Sequence, residues 1–423
     1  MRTTETTDRI LERRRAAAAA AWNLDDGVVL VFAGETIPVP GRGDRTYPFR
    51  AHAEYLYLTD RERPGGVLAY GPEDGWVDFV VPVTSDELLW AGLEGDEEGV
   101  PEGARPLDEL EAWLGGRAAR RLGAVGGDDA DVALRDALIH VRRPKDDVEI
   151  ERMRVAAEAT RAGFETLATM VAAGHTEREL QIALEAAFFR AGGDFLAFES
   201  IVGAGDHAAV LHFSPTAREL RDGELLLVDA GAEHRGYASD VTRTYPVDGT
   251  FTAEQALVYD TVQRAGEAAI AACRPGVAWH EIHRTAALVV AGGLVELGVL
   301  HGSPETLVES GATALFFPHG IGHLVGLGVR DTGPASDERR RPPPGVPHLR
   351  VDTTLQPRQA WTVEPGIYVV PALLARERGH DGVDWDRVDA LQGFGGVRLE
   401  QNVLITEDGC EVLTAAIPLR TAQ

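Results

Sequence analysis

Three apolar, strand-like runs in this 423-residue chain each lead into an acid, and any fold the chain adopts has to accommodate them. Leu225-Leu226-Leu227-Val228 runs into Asp229, Trp361-Thr362-Val363 into Glu364, and Gly396-Val397-Arg398-Leu399 into Glu400. A bare carboxylate at such a place costs several kcal/mol unless a proton or a positive charge meets it. Asp240 follows Asp229 in Gly236-Tyr237-Ala238-Ser239-Asp240-Val241-Thr242-Arg243-Thr244, itself a strand pattern, and the stretch from Gly231 to Gly236 can turn one acid to face the other. Two acids on adjacent strands repel, so they want a shared proton, an arginine such as Arg243, or a cation. Pro318-His319-Gly320-Ile321-Gly322-His323 adds two histidines among glycines. Asp229, Asp240, His323, Glu364 and Glu400 together form a hard, oxygen-rich ligand set, which suits two Mn²⁺-like ions bridged by water better than a thiolate-preferring zinc site. Two such ions ~3.5–4 Å apart would generate hydroxide at neutral pH and polarise a carbonyl.

The remaining composition narrows the function classes. A formal charge of −26 argues against nucleic acid or an anionic membrane as the main partner, because both need clustered positive charge. Lys145 is the single lysine, which nearly excludes a lysine nucleophile or Schiff base. Cys273 and Cys410 cannot make a disulfide framework or a zinc ribbon, which points to a reducing, cytoplasmic setting. Arg13 to Arg15 followed by six alanines superficially resembles a signal peptide, but the acids before it favour an amphipathic opening helix. No run approaches the ~18 apolar residues that span a membrane.

The length suggests two domains, 1–140 and 148–423, joined by a linker at 141–147. Strands are expected at 27–32, 54–58 and 76–81, a helix over 107–122, and a first-turn role for Pro144 in the helix that follows the linker. Beyond it, a helix over 146–173 and one capped by Thr176-x-x-Glu179 precede strands. A helix capped by Thr252-x-x-Gln255 and another running through Val290 then precede strands at 361–370 and 396–405. This repeated order suggests a pseudo-symmetric α+β domain with a site at its junction.

The motifs Asp229-Ala230-Gly231, Ser239 to Thr244, Pro318-His319-Gly320-x-Gly322-His323, Val363-Glu364-Pro365-Gly366 and Gly396 to Glu400 resemble the metal motifs of the pita-bread metallopeptidases. The resemblance covers roughly 142 to 415, and its nearest branch is the Xaa-Pro peptidases, prolidase and aminopeptidase P. It implies an α+β pita-bread (creatinase/aminopeptidase-like) domain behind a smaller α/β N-terminal domain. It also implies two divalent ions (Mn²⁺ first, Co²⁺ or Zn²⁺ as alternatives), a short proline-containing peptide as substrate, and a homodimer. In this resemblance Asp229 chelates one metal, Asp240 and Glu400 bridge both, and His323 and Glu364 complete the ligands of the second metal. Glu364 also serves as general base. His212 matches the histidine that contacts the scissile region and His319 one that steadies the tetrahedral intermediate; a purely structural histidine is the alternative for each. Arg398 would orient Glu400 or bind substrate, or be an ordinary ion-pair partner.

One position departs from the pattern. Val329-Arg330-Asp331 stands where the family has Val-His-Asp, and Arg cannot be a neutral donor and acceptor as imidazole can. Arg330 could instead hold an oxyanion or a substrate carboxylate. Gln401 replaces an acid that commonly follows the bridging Glu. Pro347-His348-Leu349-Arg350 resembles the bacterial prolidase loop whose Arg binds the substrate carboxylate, so Arg350 is the first candidate for that role, with Arg45 and Arg50 as secondary ones. The arginines at 339–341 and prolines at 342–344 read as a surface loop. These features favour an Xaa-Pro dipeptidase. Aminopeptidase P is the alternative, and a non-catalytic pita-bread binding protein is the rival from another class. Methionine aminopeptidase would leave the N-terminal domain unexplained, and a metal-free creatinase-like amidinohydrolase would not need this acid set.

Overall fold

In the computed structural model of the chain, residues 7–91, 98–123, 132–338 and 349–420 are described. They divide into two compact units, with the division between Arg142 and Arg143.

The N-terminal unit opens with helix α1 (Thr7–Trp22), whose buried stripe of Ile10, Arg14, Ala18 and Trp22 has helical spacing. There follow β1 (Val28–Phe32), α2 (Ala53–Thr59), β2 (Val67–Gly71), β3 (Gly75–Val80), α3 (Ser85–Ala91), β4 (Ala104–Pro106), α4 (Leu110–Leu114), β5 (Ala119–Leu122) and α5 (Val132–Arg142). The strands form one sheet in the order β4-β3-β2-β1-β5, with parallel pairs at both edges. Val28, Leu30, Val67, Ala69 and Phe79 cover one face of the sheet against Leu110 and Leu114 of α4.

Two sequence expectations fail here for identifiable reasons. The segment 54–58, expected as a strand, is the helix α2. Tyr55, Leu56, Tyr57 and Leu58 are all buried, and a short run apolar on every side has no period to separate helix from strand. Asp60 in the left-handed region then closes this helix with its N–H on the Leu56 carbonyl. The single helix expected over 107–122 is instead one short turn and α4, because Gly115 and Gly116 both take positive φ and β5 follows. The glycine-rich stretch after Gly123 lies outside the described residues.

The C-terminal unit begins with α6 (Asp147–Ala168), capped by Asp146 in a complete capping box with Glu149. Pro144 therefore precedes the cap rather than occupying the first turn, and the helix stops before 173. Next come α7 (Glu177–Arg190), β6 (Phe195–Leu196), β7 (Ile201–Ala204), β8 (Leu225–Ala230), β9 (Ala232–His234), β10 (Tyr237–Ala238) and β11 (Val241–Pro246). The second half repeats the order with α8 (Ala253–Ala272), α9 (Trp279–Glu296), α10 (Pro304–Glu309), β12 (Ala360–Val363), β13 (Gly366–Tyr368), α11 (Pro371–Arg376), α12 (Trp385–Ala390), β14 (Gly396–Arg398), β15 (Gln401–Ile405) and β16 (Cys410–Val412). Thr176 and Thr252 cap α7 and α8 with the boxes the sequence indicates. Each half thus pairs two helices and follows them with an antiparallel three-stranded sheet, β11-β8-β7 in the first and β12-β15-β16 in the second. Trp279 of α9 stacks on Trp361 of β12 at 4.2 Å between ring centroids, tying the second helix pair to its sheet.

Candidate metal centre

β8 and β11 pair so that Asp229 lies opposite Thr242. Asp240 stands two residues before Thr242 and so belongs to the same face of the ladder as Asp229. Gly231 permits this approach, since a Cβ there would sit 1.8 Å from the Ser239 carbonyl oxygen. Glu364 and Glu400 occupy the gap between two ladders: Val363 pairs with Gln401 on one side and Gly366 with Arg398 on the other. Pro365 interrupts the pairing, which frees both acids from the sheet. Gly322 lets the His323 loop press on β12, where a Cβ would lie 2.0 Å from the Thr362 carbonyl oxygen. The His323 N–H donates to Thr362 Oγ1 at 3.0 Å.

The five expected ligands therefore converge on one cavity of about 620 Å³. Asp240, His323 and Glu400 offer ligand atoms all within 4.8 Å of one another. Asp229 Oδ1, Asp240 Oδ1 and Glu400 Oε1 are buried and have no hydrogen-bond partner, which is unusual for carboxylate oxygens in a protein interior. Burial first, and the neighbouring acids after it, push Asp229 up to about 6, Glu364 up to about 7 and Glu400 well above the carboxylate range. Arg398 offsets only part of this. Orphaned, mutually repelling oxygens with one imidazole are a donor set that divalent cations satisfy. The residues fit divalent metal ions, with Asp240, His323 and Glu400 forming one candidate cluster.

A hydrogen-bonded chain fixes the set from behind. Arg398 donates to Asp229 Oδ2 at 2.5 Å, to Thr242 Oγ1 at 2.9 Å and to Tyr368 Oη at 2.8 Å. Thr242 in turn donates to Glu400 Oε2 at 2.7 Å. The Arg243 alternative for the acids does not occur. Its guanidinium is fully buried and bonds the carbonyls of Thr242, Glu400, Ile417 and Pro418 and the Gln401 side chain. Asn402 accepts from the Asp240 N–H and donates to its carbonyl, a contact the sequence reading missed.

His319 lines the cavity with both ring nitrogens engaged: Nδ1 lies 2.8 Å from the Gly320 carbonyl and Nε2 2.9 Å from Tyr368 Oη. Since a carbonyl only accepts, Nδ1 carries the proton and Tyr368 donates to Nε2. Burial, reinforced by Arg398, lowers the ring to about 3, consistent with that neutral form. His212 also lines the cavity, and its pKa is lowered by burial and by Arg330, Arg398 and Arg350. Arg330 and Arg350 line the cavity as well. Arg45 and Arg50 belong to the N-terminal unit, where Arg45 is exposed and Arg50 pairs with Glu62 at 3.3 Å. Residues 339–348, which include Pro347 and His348 of the suggested loop, lie outside the described residues.

Residues 151–407 match the model of metallopeptidase family M24, and residues 11–116 that of the aminopeptidase P N-terminal domain. The chain belongs to metallopeptidase family M24. It is 33% identical to a probable Xaa-Pro aminopeptidase of Coccidioides posadasii, over 96% of this chain and 93% of the relative. A probable Xaa-Pro aminopeptidase of Botryotinia fuckeliana is 31% identical over 93% of this chain and 90% of its own length. Among solved structures, aminopeptidase PepP of Pseudomonas aeruginosa matches with a TM-score of 0.81 and 30% identity, covering 98% of this chain and 96% of that one. Zinc-substituted aminopeptidase P of E. coli, in complex with product, matches with a TM-score of 0.82 and 28% identity over 98% and 96% of the two chains. The M24 chain thus has the pita-bread domain with a separate N-terminal domain, as the motifs suggest. Membership makes it a metallopeptidase and implies divalent metal ions. The relatives carry the aminopeptidase P name rather than that of prolidase, so the prolidase branch is not singled out.

Proposed function

We propose that the protein is an Xaa-Pro aminopeptidase, hydrolysing the peptide bond that precedes proline. The observation that carries this reading is the set of orphaned carboxylate oxygens on Asp229, Asp240 and Glu400, gathered with His323 and Glu364 in one cavity. Divalent cations held by these five residues would supply a water of lowered pKa and polarise the scissile carbonyl. Mn²⁺ is our first assignment from the oxygen-rich donors, and a relative studied as a zinc-substituted form keeps Zn²⁺ open.

The chain's own groups have the following parts. Glu364 takes a proton from the attacking water and returns it to the departing proline nitrogen. His212, kept neutral by its surroundings, donates to the substrate carbonyl region. Arg398 holds Asp229 and, through Thr242, Glu400, while Tyr368 carries this order on to His319. Phe198, Leu211 and Phe213 give the cavity an apolar wall suited to a proline ring.

Comparing turnover of Ala-Pro and Ala-Pro-Gly with Mn²⁺ tests the reading. Faster hydrolysis of the tripeptide supports the aminopeptidase; selectivity for the dipeptide returns the assignment to prolidase. A purified protein that binds no divalent metal and cleaves neither peptide would be a binding module instead.

A further inference from the structure

The two cysteines of the chain meet at one place, outside the residues that line the metal cavity. Cys273 caps the C-terminal end of α8, and its N–H donates to the Ile270 carbonyl at 3.0 Å. Cys410 opens the edge strand β16, 140 positions from Ile270, and its thiol reaches the same carbonyl at 3.4 Å. Both residues therefore stand over one oxygen atom, and their thiols are hydrogen-bonded to each other. Their surroundings differ. Cys273 is buried in the largest apolar cluster of the C-terminal unit, whereas Cys410 packs against the edge of that cluster and is partly open to solvent. The hydrogen bond and burial hold Cys273 in its thiol form, while the same bond lowers Cys410 and favours its thiolate. Two sulfurs in contact, one open and one buried, have the arrangement of a reactive thiol beside a resolving one.

We propose that Cys273 and Cys410 form a reversible oxidation site, in which Cys410 meets a small hydroperoxide and Cys273 closes a disulfide onto it. This does not rest on the peptidase reading. The Cys410 sulfur attacks one peroxide oxygen, the O–O bond breaks, and the departing hydroxide takes up the proton that the Cys410 thiol lost. Cys410 is then a sulfenic acid. The Cys273 sulfur attacks the Cys410 sulfur, the S–O bond breaks, and hydroxide leaves with the Cys273 proton as water. Two thiols and one hydrogen peroxide thus give one disulfide and two waters, the two electrons passing from the sulfurs to the peroxide. Two cysteines cannot make a disulfide framework, but they can make one bridge that a reducing setting opens again. The bridge would join two elements that frame the metal centre. Helix α8 backs the residue after Glu364, since a Cβ on Gly266 would meet Pro365 Cγ at 3.5 Å. Strand β16 pairs with β15, which begins directly after Glu400. A cross-link between them closes a long loop and so constrains the unfolded chain strongly.

The test treats the full-length protein, freed of reductant, with stoichiometric hydrogen peroxide and follows its thiols and its intact mass. Both thiols should disappear, the mass should fall by about 2 Da, and dithiothreitol should reverse both changes. Digestion of the oxidised protein should yield one peptide pair joined through Cys273 and Cys410. The bridged form should melt about 5 °C above the reduced form. Cys410→Ser should slow the loss of the remaining thiol by about tenfold or more. Cys273→Ser should leave Cys410 as a sulfenic acid that dimedone labels. Thermal melts of the reduced variants check that each is folded, and the measurements on the unaltered protein stand without them. Three results overturn the proposal: oxidation of Cys410 to the sulfinic acid with Cys273 still free, a disulfide that forms only between two chains, and thiols that both survive about a tenfold excess of peroxide. Undiminished thiol loss in Cys410→Ser overturns it too, because Cys273 would then be the sulfur that meets the peroxide.

Discussion

Lys145 Nζ lies 2.6 Å from Asp331 Oδ2, and both side chains are buried to within 1% of full enclosure. The only lysine of the chain is thus used inside the protein, on the residue that follows Arg330. The pair anchors the backbone from which Arg330 leaves. Gly326 makes room for it, since a Cβ there would lie 2.6 Å from Lys145 Cε. Lys145→Met should destabilise the protein by about 3–5 kcal/mol, because it removes the buried cation facing a buried carboxylate. Lys145→Met combined with Asp331→Asn should recover a large part of that loss. Urea denaturation of the single and double variants measures both; an unchanged midpoint in the single variant would show the pair to be dispensable.

His283 titrates against stability in acid. It is buried on α9, stacks on Phe317 at 5.1 Å between centroids, and burial lowers it to about 4 from an ordinary value near 6.5. Between those values the unfolded chain binds the proton and the folded chain resists it. Stability therefore falls as pH drops from about 6.5 to 4 and is fully present above that window. The contribution is on the order of 3 kcal/mol. His283→Phe should flatten this part of the curve when thermal melts of the two proteins are compared across the window.

Glu177 positions the loop that carries His212. Its carboxylate is fully buried and accepts from the Ala204 N–H at 3.0 Å, the Thr216 N–H at 3.1 Å and the Thr216 hydroxyl at 2.7 Å, with His207 Nδ1 at 2.6 Å. These contacts close both ends of the segment holding His212 and Phe213. Glu177→Gln should lose about 2 kcal/mol of stability and about tenfold in kcat/KM. Metal content measured by mass spectrometry should not change, which separates a loop effect from damage to the ligand set.

Metal removal should be costly to stability as well as to activity. Cations relieve the repulsion among Asp229, Asp240, Glu364 and Glu400, so they bind the folded chain far better than the unfolded one. Dialysis against a chelator should lower the thermal midpoint, and added Mn²⁺ at a thousandfold excess over Kd should restore about 4 kcal/mol. Glu400→Gln should reduce bound metal below two ions per chain in the same measurement. Full occupancy in that variant would remove Glu400 from the ligand set.

The helices of the C-terminal unit were readable because their caps are local. Thr176-x-x-Glu179 and Thr252-x-x-Gln255 each close their own boxes within four residues, whereas the Asp146 box with Glu149 displaced the first-turn role expected of Pro144. The convergence of the five candidate ligands was readable for a different reason: an acid in an apolar run is costly wherever the run goes, so its presence signals a common destination. Helix α2 was not readable, because burial on every side erases the period that distinguishes helix from strand.

The sequence alone therefore determined which residues had to meet something positive, since that follows from the cost of burying charge and needs no knowledge of the fold. It did not determine what met them. Arg243, beside the acids in sequence, turns to backbone carbonyls, while Arg398, separated from Asp229 by 169 positions, takes the carboxylate. Only the tertiary structure decides such pairings, because they depend on which strands become neighbours. Arg330 and Arg350, named as candidates from their motifs, both line the cavity in the fold.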